Sequence, residues 1–220
     1  MSIAANIEKI KQQLSQNIKL IAVSKTKPME TLMEAYNSGQ KIFAENKVQE
    51  LVGKYEQMPK DIEWHMIGHL QSNKVKYIIS FVALIHSVDS ENLLSEINKQ
   101  AAKINKIQQV LLQISIADEE TKFGFEEAEL FNILKKYVNH EYTHIEIVGL
   151  MGMATFTDNE EQIANEFAGL KKLFDKVKTN YFSHKESFNQ LSMGMSSDYQ
   201  IAIANGSNLI RVGSSIFGGR

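Results

Sequence analysis

The stretch that decides the fold is Ile21-Ala22-Val23-Ser24-Lys25-Thr26-Lys27-Pro28, IAVSKTKP. An apolar run stops at Ser24 and delivers two lysines before Pro28 turns the chain. A strand-end lysine is ordinarily a solvated surface charge. In a barrel of alternating strands and helices, the same position opens onto the mouth where sites are built. Which applies depends on whether the rest of the chain repeats a strand–helix beat.

It does. Upstream, Ile3, Ile7, Ile10 and Leu14 recur at helical spacing and predict an extra N-terminal helix. Residues 18–23, IKLIAV, read as the first strand. Pro28 opens a helix through Met29, Leu32, Met33 and Tyr36 that stops at Gly39. Ile42 to Ala44 is apolar again, and Asn46 is placed to cap the helix carrying Val48, Leu51 and Val52. Trp64 to Ile67 ends at Gly68, and Val75, Ile78 and Ile79 fall on the next helix. Val82 to Ile85 is strand-like, and Ser90 caps a helix with Leu93, Leu94 and Ile97. Gln109 to Ile116, QVLLQISI, is the clearest β run; Glu126 to Val138 reads as a helix and Ile145 to Leu150 as a strand. Asp158 and Glu161 have capping-box spacing ahead of a stripe through Ile163, Phe167, Leu170, Leu173 and Val177. Gln190 to Ser192, a helix near 198–204, and Leu209 to Val212 complete eight strands. No Pro/Gly/Ser-rich linker interrupts them, so the expected fold is α/β, a single (β/α)8 TIM barrel over residues 1–220.

Composition narrows the function. Among 220 residues, 43% are hydrophobic and 23% charged, as in ordinary globular chains. The net charge is -2, with no long basic block, which counts against a nucleic-acid partner. Cysteine is absent, excluding disulfides and thiolate metal sites. The start, MSIAANIEKIKQQL, lacks the pattern of a signal peptide, and no apolar stretch reaches the ~20 residues a membrane span needs. A cytoplasmic protein is expected. No surplus apolar helix face demands a second copy, so a monomer is expected.

In such barrels the loops after strands 7 and 8 often hold phosphate. Here they read LSMGMSSD (191–198) and RVGSSIFGG (211–219). Glycine lets backbone N–H groups approach an anion, and serine adds hydroxyl donors. Lys25 ends strand 1 on the same rim, where an amine can form a Schiff base with a phosphorylated aldehyde. Alternation puts Lys25 and Lys27 on one side, so periodicity does not choose between them. Arg211 lies within the last strand, where a charge is costly without a partner. An acidic neighbour is one candidate partner and a bound ligand the other. His65 and His69 have metal-like spacing, but they run from a strand into a glycine turn with no glutamate after the first, so no metal is expected. Met151, Met153, Met193 and Met195 read as packing, and Trp64 as core.

Several segments together resemble the pyridoxal phosphate (PLP) homeostasis proteins, whose barrel is like the N-terminal domain of alanine racemase. They are AVSKTKP (22–28), AENKVQE (44–50), EWHMIGHLQSNK (63–74), GLMGMA (149–154), LSMGMSSD (191–198) and RVGSSIFG (211–218). The resemblance implies PLP held as a Schiff base on Lys25, with Asn46 beside it. It implies Ser192, Ser196, Gly213 and Ser214 around the phosphate, and Arg211 facing the pyridine nitrogen. An arginine there would be a poor proton donor and would weaken the cofactor as an electron sink. This chain has Ala44 where the family commonly has glycine, and Ser214 where threonine is frequent. The loop DEETKFGF (118–125) matches more loosely, and no role is assigned to it. The function implied is a carrier that buffers or delivers PLP for B6-vitamer and amino/keto-acid homeostasis, without established turnover. PLP-dependent apoenzymes are the implied recipients. Racemase chemistry needs a second base, supplied in alanine racemase by a tyrosine of a separate C-terminal domain. The alternatives are a fold-type III PLP racemase or lyase with another second base, and a class I aldolase that would be colourless.

Overall fold

The computed structural model describes residues 2–117 and 123–219, and eight parallel strands within them close a barrel in sequence order. Its elements are α1 (Ile3–Lys11), β1 (Lys19–Val23), α2 (Met29–Asn37), β2 (Ile42–Glu45), α3 (Val48–Gln57), β3 (Glu63–Met66), a 3₁₀ turn (Ser72–Tyr77) and β4 (Leu84–Val88). They continue with α4 (Glu91–Lys103), β5 (Gln108–Gln113), α5 (Glu127–Val138), β6 (Ile145–Met151), α6 (Glu160–Tyr181), β7 (Gln190–Ser192), α7 (Tyr199–Ala204), β8 (Leu209–Val212) and α8 (Ser214–Phe217). Parallel neighbours require a crossover, and helices supply it on the outside. Among the described residues, no helix is long and apolar enough to cross a membrane.

Strand alternation separates the apolar residues into two layers. Ile21, Ala44, Leu84, Leu111, Val148 and Leu209 pack together inside the barrel. The intervening residues Ala22, Phe43, Trp64, Ile85, Val110, Ile147, Leu191 and Ile210 face outward into a larger core with the helices. Trp64 is core, as expected, 5.8 Å from Phe43 between ring centroids. The register sets Ile21 opposite Arg211 and Val23 opposite Ala44. Arg211 therefore shares the inward parity of Leu209 and points into the barrel.

Local expectations fail in informative places. Asn46 does not cap α3; Lys47 holds the N-cap position, without a side-chain hydrogen bond. Asp158 and Glu161 form no capping box, because Asn159 caps α6 by accepting from the Gln162 N–H at 3.2 Å. The residues 75–79 expected on a helix lie in and just beyond the 3₁₀ turn. The fourth strand begins two residues later than read, at Leu84. Ser90 does cap α4, accepting from Leu93 N–H. Of the loop 118–125, residues 118–122 lie outside the described ones.

Candidate functional site

At the C-terminal ends of the strands lies a cavity of about 420 Å³, lined by Lys25, Asn46, Met195, Ser196, Arg211, Gly213 and Ser214 among others. Six of the seven residues expected at a site thus meet around one space, although they come from four strand ends. Ser192, the seventh, does not line it. Ser192, expected near a phosphate, is the last residue of β7 and is fully buried inside the barrel. Its hydroxyl is engaged with Arg211 at 2.5 Å and His86 at 3.0 Å. The apolar wall is Ile67, Met153, Phe156 and Met195, of which the sequence marks the two methionines as packing and not Ile67 or Phe156. The methionines divide by position: Met151 and Met193 are fully buried, whereas Met153 and Met195 face the cavity.

The structure separates the two lysines that periodicity left equivalent. Lys27 Nζ donates to the carbonyls of Phe217, Gly218 and Gly219 at 3.3, 3.0 and 2.8 Å. Among the described residues, Lys25 Nζ has neither a hydrogen-bond nor an ion-pair partner. Its backbone is nonetheless tightly held. Thr26, the next residue, has φ 63°, a left-handed conformation that a β-branched side chain rarely adopts. The cost is of order 1–3 kcal/mol and must be met by surrounding contacts. Glu50 supplies one, accepting from Thr26 N–H at 2.8 Å. Lys54 supplies another, donating to the Ser24 carbonyl at 2.7 Å and to Glu45 Oε1 at 2.7 Å. Ser24 Oγ donates to the same carboxylate oxygen at 2.6 Å. Burial pushes the Glu45 pKa up, against the lowering effect of its Lys54 and Ser24 hydrogen bonds. None of this was legible in the sequence, where Lys54 looks like any helix-surface lysine four residues from Glu50.

The opposite wall offers hydrogen-bond donors. Ser196 Oγ accepts from Gly213 N–H at 3.1 Å and Ser215 N–H at 3.4 Å, so the loops after β7 and β8 are tied together here. The β7 loop turns at Gly194, φ 89°, and is closed by Asp198, whose carboxylate accepts from Met195 N–H at 2.5 Å. A Cβ on Gly194 would lie 2.7 Å from the Ala202 Cβ and 2.8 Å from the Tyr199 Cα, so both shape and φ require glycine. Asn46 is placed by a second close approach. A Cβ on Gly68 would sit 2.4 Å from the Asn46 carbonyl oxygen.

Arg211 forms part of the cavity floor, 3% exposed. Among the described residues it has no carboxylate in ion-pair range; it donates to Ser192 Oγ and, at 3.0 Å, to the Gly152 carbonyl. Burial lowers its pKa to about 10, with Asp198 opposing from a distance, so it stays cationic at neutral pH. No described lining residue is a carboxylate, a histidine or a tyrosine. The donor set is one amine without a partner, one guanidinium, serine hydroxyls and backbone N–H groups. It fits an anionic, carbonyl-bearing ligand, and a phosphorylated aldehyde such as PLP satisfies each part. His69 lies elsewhere, bonded to Asp89 at 2.8 Å. Among the described residues no group of three or more side chains could hold a metal.

The whole chain, residues 1–220, matches the family model described as alanine racemase, N-terminal domain. A pyridoxal phosphate homeostasis protein of Aquifex aeolicus is 41% identical over 203 residues, covering 92% of this chain and 87% of that one. One from Helicobacter pylori is 38% identical over 222 residues, covering 98% and 95%. Among solved structures, PipY of Synechococcus elongatus PCC7942, with PLP bound, superposes with a TM-score of 0.89 at 32% identity, covering 99% of this chain and all of that one. By sequence over its full length and by its barrel, the chain belongs to the pyridoxal phosphate homeostasis protein family, built on the alanine racemase N-terminal domain fold.

Proposed function

We propose that this protein binds PLP in the cavity at the barrel mouth, as a Schiff base on Lys25, and buffers or delivers it to apoenzymes that depend on it. The single observation that carries the reading is the contrast between the two lysines: Lys27 is spent on three carbonyls, and Lys25 projects from a rigid turn with no partner among the described residues. When bound, PLP supplies an aldehyde that an amine can capture reversibly and a ring that can delocalise charge.

The protein's own residues then have distinct roles. Lys25 would supply the amine; Gly213 and Ser215 N–H both donate to Ser196 Oγ, so the Ser196 hydroxyl proton is left to point at a phosphate beside Gly213 and Ser214. Asn46 would lie beside the ligand, and Arg211 on the cavity floor would address the ring nitrogen as a positive donor. An arginine at that nitrogen leaves it largely unprotonated, which weakens carbanion stabilisation and favours holding over turnover. The lining adds a second reason. Proton transfer on both faces of a substrate needs two bases, and beyond Lys25 the described lining offers only Lys27 and Arg211, both already engaged as hydrogen-bond donors.

The deciding experiment is an absorption spectrum of the purified protein with PLP, followed by borohydride reduction and peptide mapping. A violet-region band that reduction fixes as a pyridoxyl group on Lys25 is expected. A colourless protein, or an adduct on Lys27 or on a surface lysine, overturns the reading. Amino-acid racemisation assays on the same sample distinguish a carrier from a fold-type III enzyme.

A further inference from the structure

Beneath the cavity, inside the barrel, five polar side chains form an unbroken chain from top to bottom. Arg211 Nη1 donates to Ser192 Oγ at 2.5 Å. Ser192 Oγ lies 3.0 Å from His86 Nδ1, His86 Nε2 lies 3.0 Å from His65 Nδ1, and His65 Nε2 lies 2.9 Å from Glu63 Oε1. Ser192 and His86 are fully buried, His65 is 1% exposed, and only the Glu63 side chain reaches solvent, at the N-terminal end of β3.

The direction of every bond follows from the two ends. A guanidinium can only donate, and an ionised carboxylate can only accept. Glu63 is ionised, its pKa held down chiefly by the hydrogen bond from His65. His65 therefore carries its proton on Nε2 and, being neutral through burial, leaves Nδ1 as an acceptor. His86 must fill it from Nε2, leaving its own Nδ1 as an acceptor. Burial, with His65 and Arg211 nearby, holds His86 neutral. The Ser192 proton goes to that nitrogen, so the Ser192 oxygen is left to accept from Arg211. Read from the Glu63 end, the chain has one orientation, and the Arg211 end is compatible with it.

We propose that His86 is a positioning residue for Arg211. By taking the Ser192 proton it makes the Ser192 oxygen a dedicated acceptor that aims the buried guanidinium at the cavity, while His65 and Glu63 hold His86 in the tautomer this requires. Without His86, nothing fixes the rotation of the Ser192 hydroxyl, and the lone pair it presents to Arg211 is no longer held in place. The arginine then loses one of its two fixed acceptors.

Two measurements test this, and only the second rests on the PLP reading. The first is nitrogen NMR of the imidazoles in the ligand-free protein at neutral pH. Neutral, Nε2-protonated rings are expected for both His65 and His86; a proton on Nδ1 of either overturns the proposal, whatever the protein binds. The second compares PLP affinity and the absorption maximum of the bound chromophore in His86→Leu and His86→Asn. His86→Leu removes the acceptor, and roughly tenfold weaker binding with a shifted band is expected. His86→Asn places an amide oxygen near the Nδ1 position and is expected to restore both. An unchanged band and affinity in His86→Leu overturns the proposal, as does an equal change in His86→Asn, which would mark a packing effect. Should His86→Leu not unfold cooperatively, Ser192→Ala replaces it, and an unshifted band there overturns the proposal. A wild-type protein that binds no PLP would overturn the functional reading while leaving the NMR result to decide the chain.

Discussion

Replacing Lys54 with methionine keeps the side chain's length and removes its charge, which isolates what the buried ion pair under Ser24–Thr26 contributes. Glu45 is fully buried and Lys54 nearly so, at 0% and 9% side-chain exposure, so water cannot replace the lost ammonium. One Glu45 oxygen, Oε2, already has no hydrogen-bond partner among the described residues. In Lys54→Met only the Ser24 hydroxyl still addresses the carboxylate. Breaking a buried pair by deleting one partner costs about 3–5 kcal/mol, because the remaining charge is left uncompensated. The pH dependence identifies that cause. Burial raises the folded-state pKa of Glu45 above its ordinary 4.5, and the opposing contributions of Lys54 vanish in the variant, raising it further. A raised carboxyl pKa gives stability that is fully present below 4.5 and is lost as pH rises through the folded value. Between the two values the folded protein holds one proton more than the unfolded chain, so stability falls by about 1.4 kcal/mol per pH unit. The penalty in urea unfolding is therefore expected to be smallest near about pH 5 and to grow toward about pH 8. The double variant Glu45→Gln with Lys54→Met is expected to recover most of it and lose the pH dependence. A Lys54→Met penalty below about 1 kcal/mol, or one that is flat across that range, refutes the assignment of a charged pair here.

Three further outcomes are expected. Lys25→Ala abolishes the borohydride-trapped pyridoxyl adduct, whereas Lys27→Ala keeps it on Lys25; an adduct that moves with neither is evidence against the choice of lysine. Ser196→Ala, which removes the hydroxyl joining the two loops, weakens PLP binding about three- to tenfold by fluorescence titration, and unchanged binding would place the phosphate elsewhere. Gly194→Ala forces a side chain into a left-handed backbone against Tyr199 and Ala202 and costs about 3 kcal/mol in chemical denaturation; a loss under about 1 kcal/mol would mean the loop relaxes freely.

The barrel was legible because its signal is repeated. Each strand contributes a short apolar run and each helix a stripe, and a misplaced boundary such as that of β4 does not disturb the count. Single-residue signals were weaker. Asp158 and Asn159 are both good capping residues, and only the local backbone selects the second. The loops after β7 and β8 could be placed at the barrel mouth from ordinal position, yet the burial of Ser192 could not. LSMGMSSD presents Ser192 and Ser196 as equivalent hydroxyls, and strand parity at the end of β7 sends the first into the barrel and leaves the second on the rim. His86 carries no sequence mark at all. Its importance arises from three strands meeting across the barrel interior, contacts separated by 106 residues from His86 to Ser192 and 21 from His86 to His65.

The lysine pair shows how tertiary contact resolves what periodicity cannot. Lys25 and Lys27 share a side of the chain, and both line the cavity. The difference between them comes from Thr26, whose positive φ bends the chain between two residues of like parity. Lys27 is carried over to the carbonyls at 217–219, where its Nζ is committed to three hydrogen bonds. Lys25 stays on the side of Arg211, in a cavity whose described lining already holds two other cations. On the proposed reading, the strained turn and the Glu45–Lys54–Glu50 cluster beneath it serve to position the reactive amine. They commit Lys27 to the backbone and leave Lys25 without a partner among the described residues, so that on the proposed reading a phosphorylated aldehyde entering the mouth would meet a single uncommitted amine.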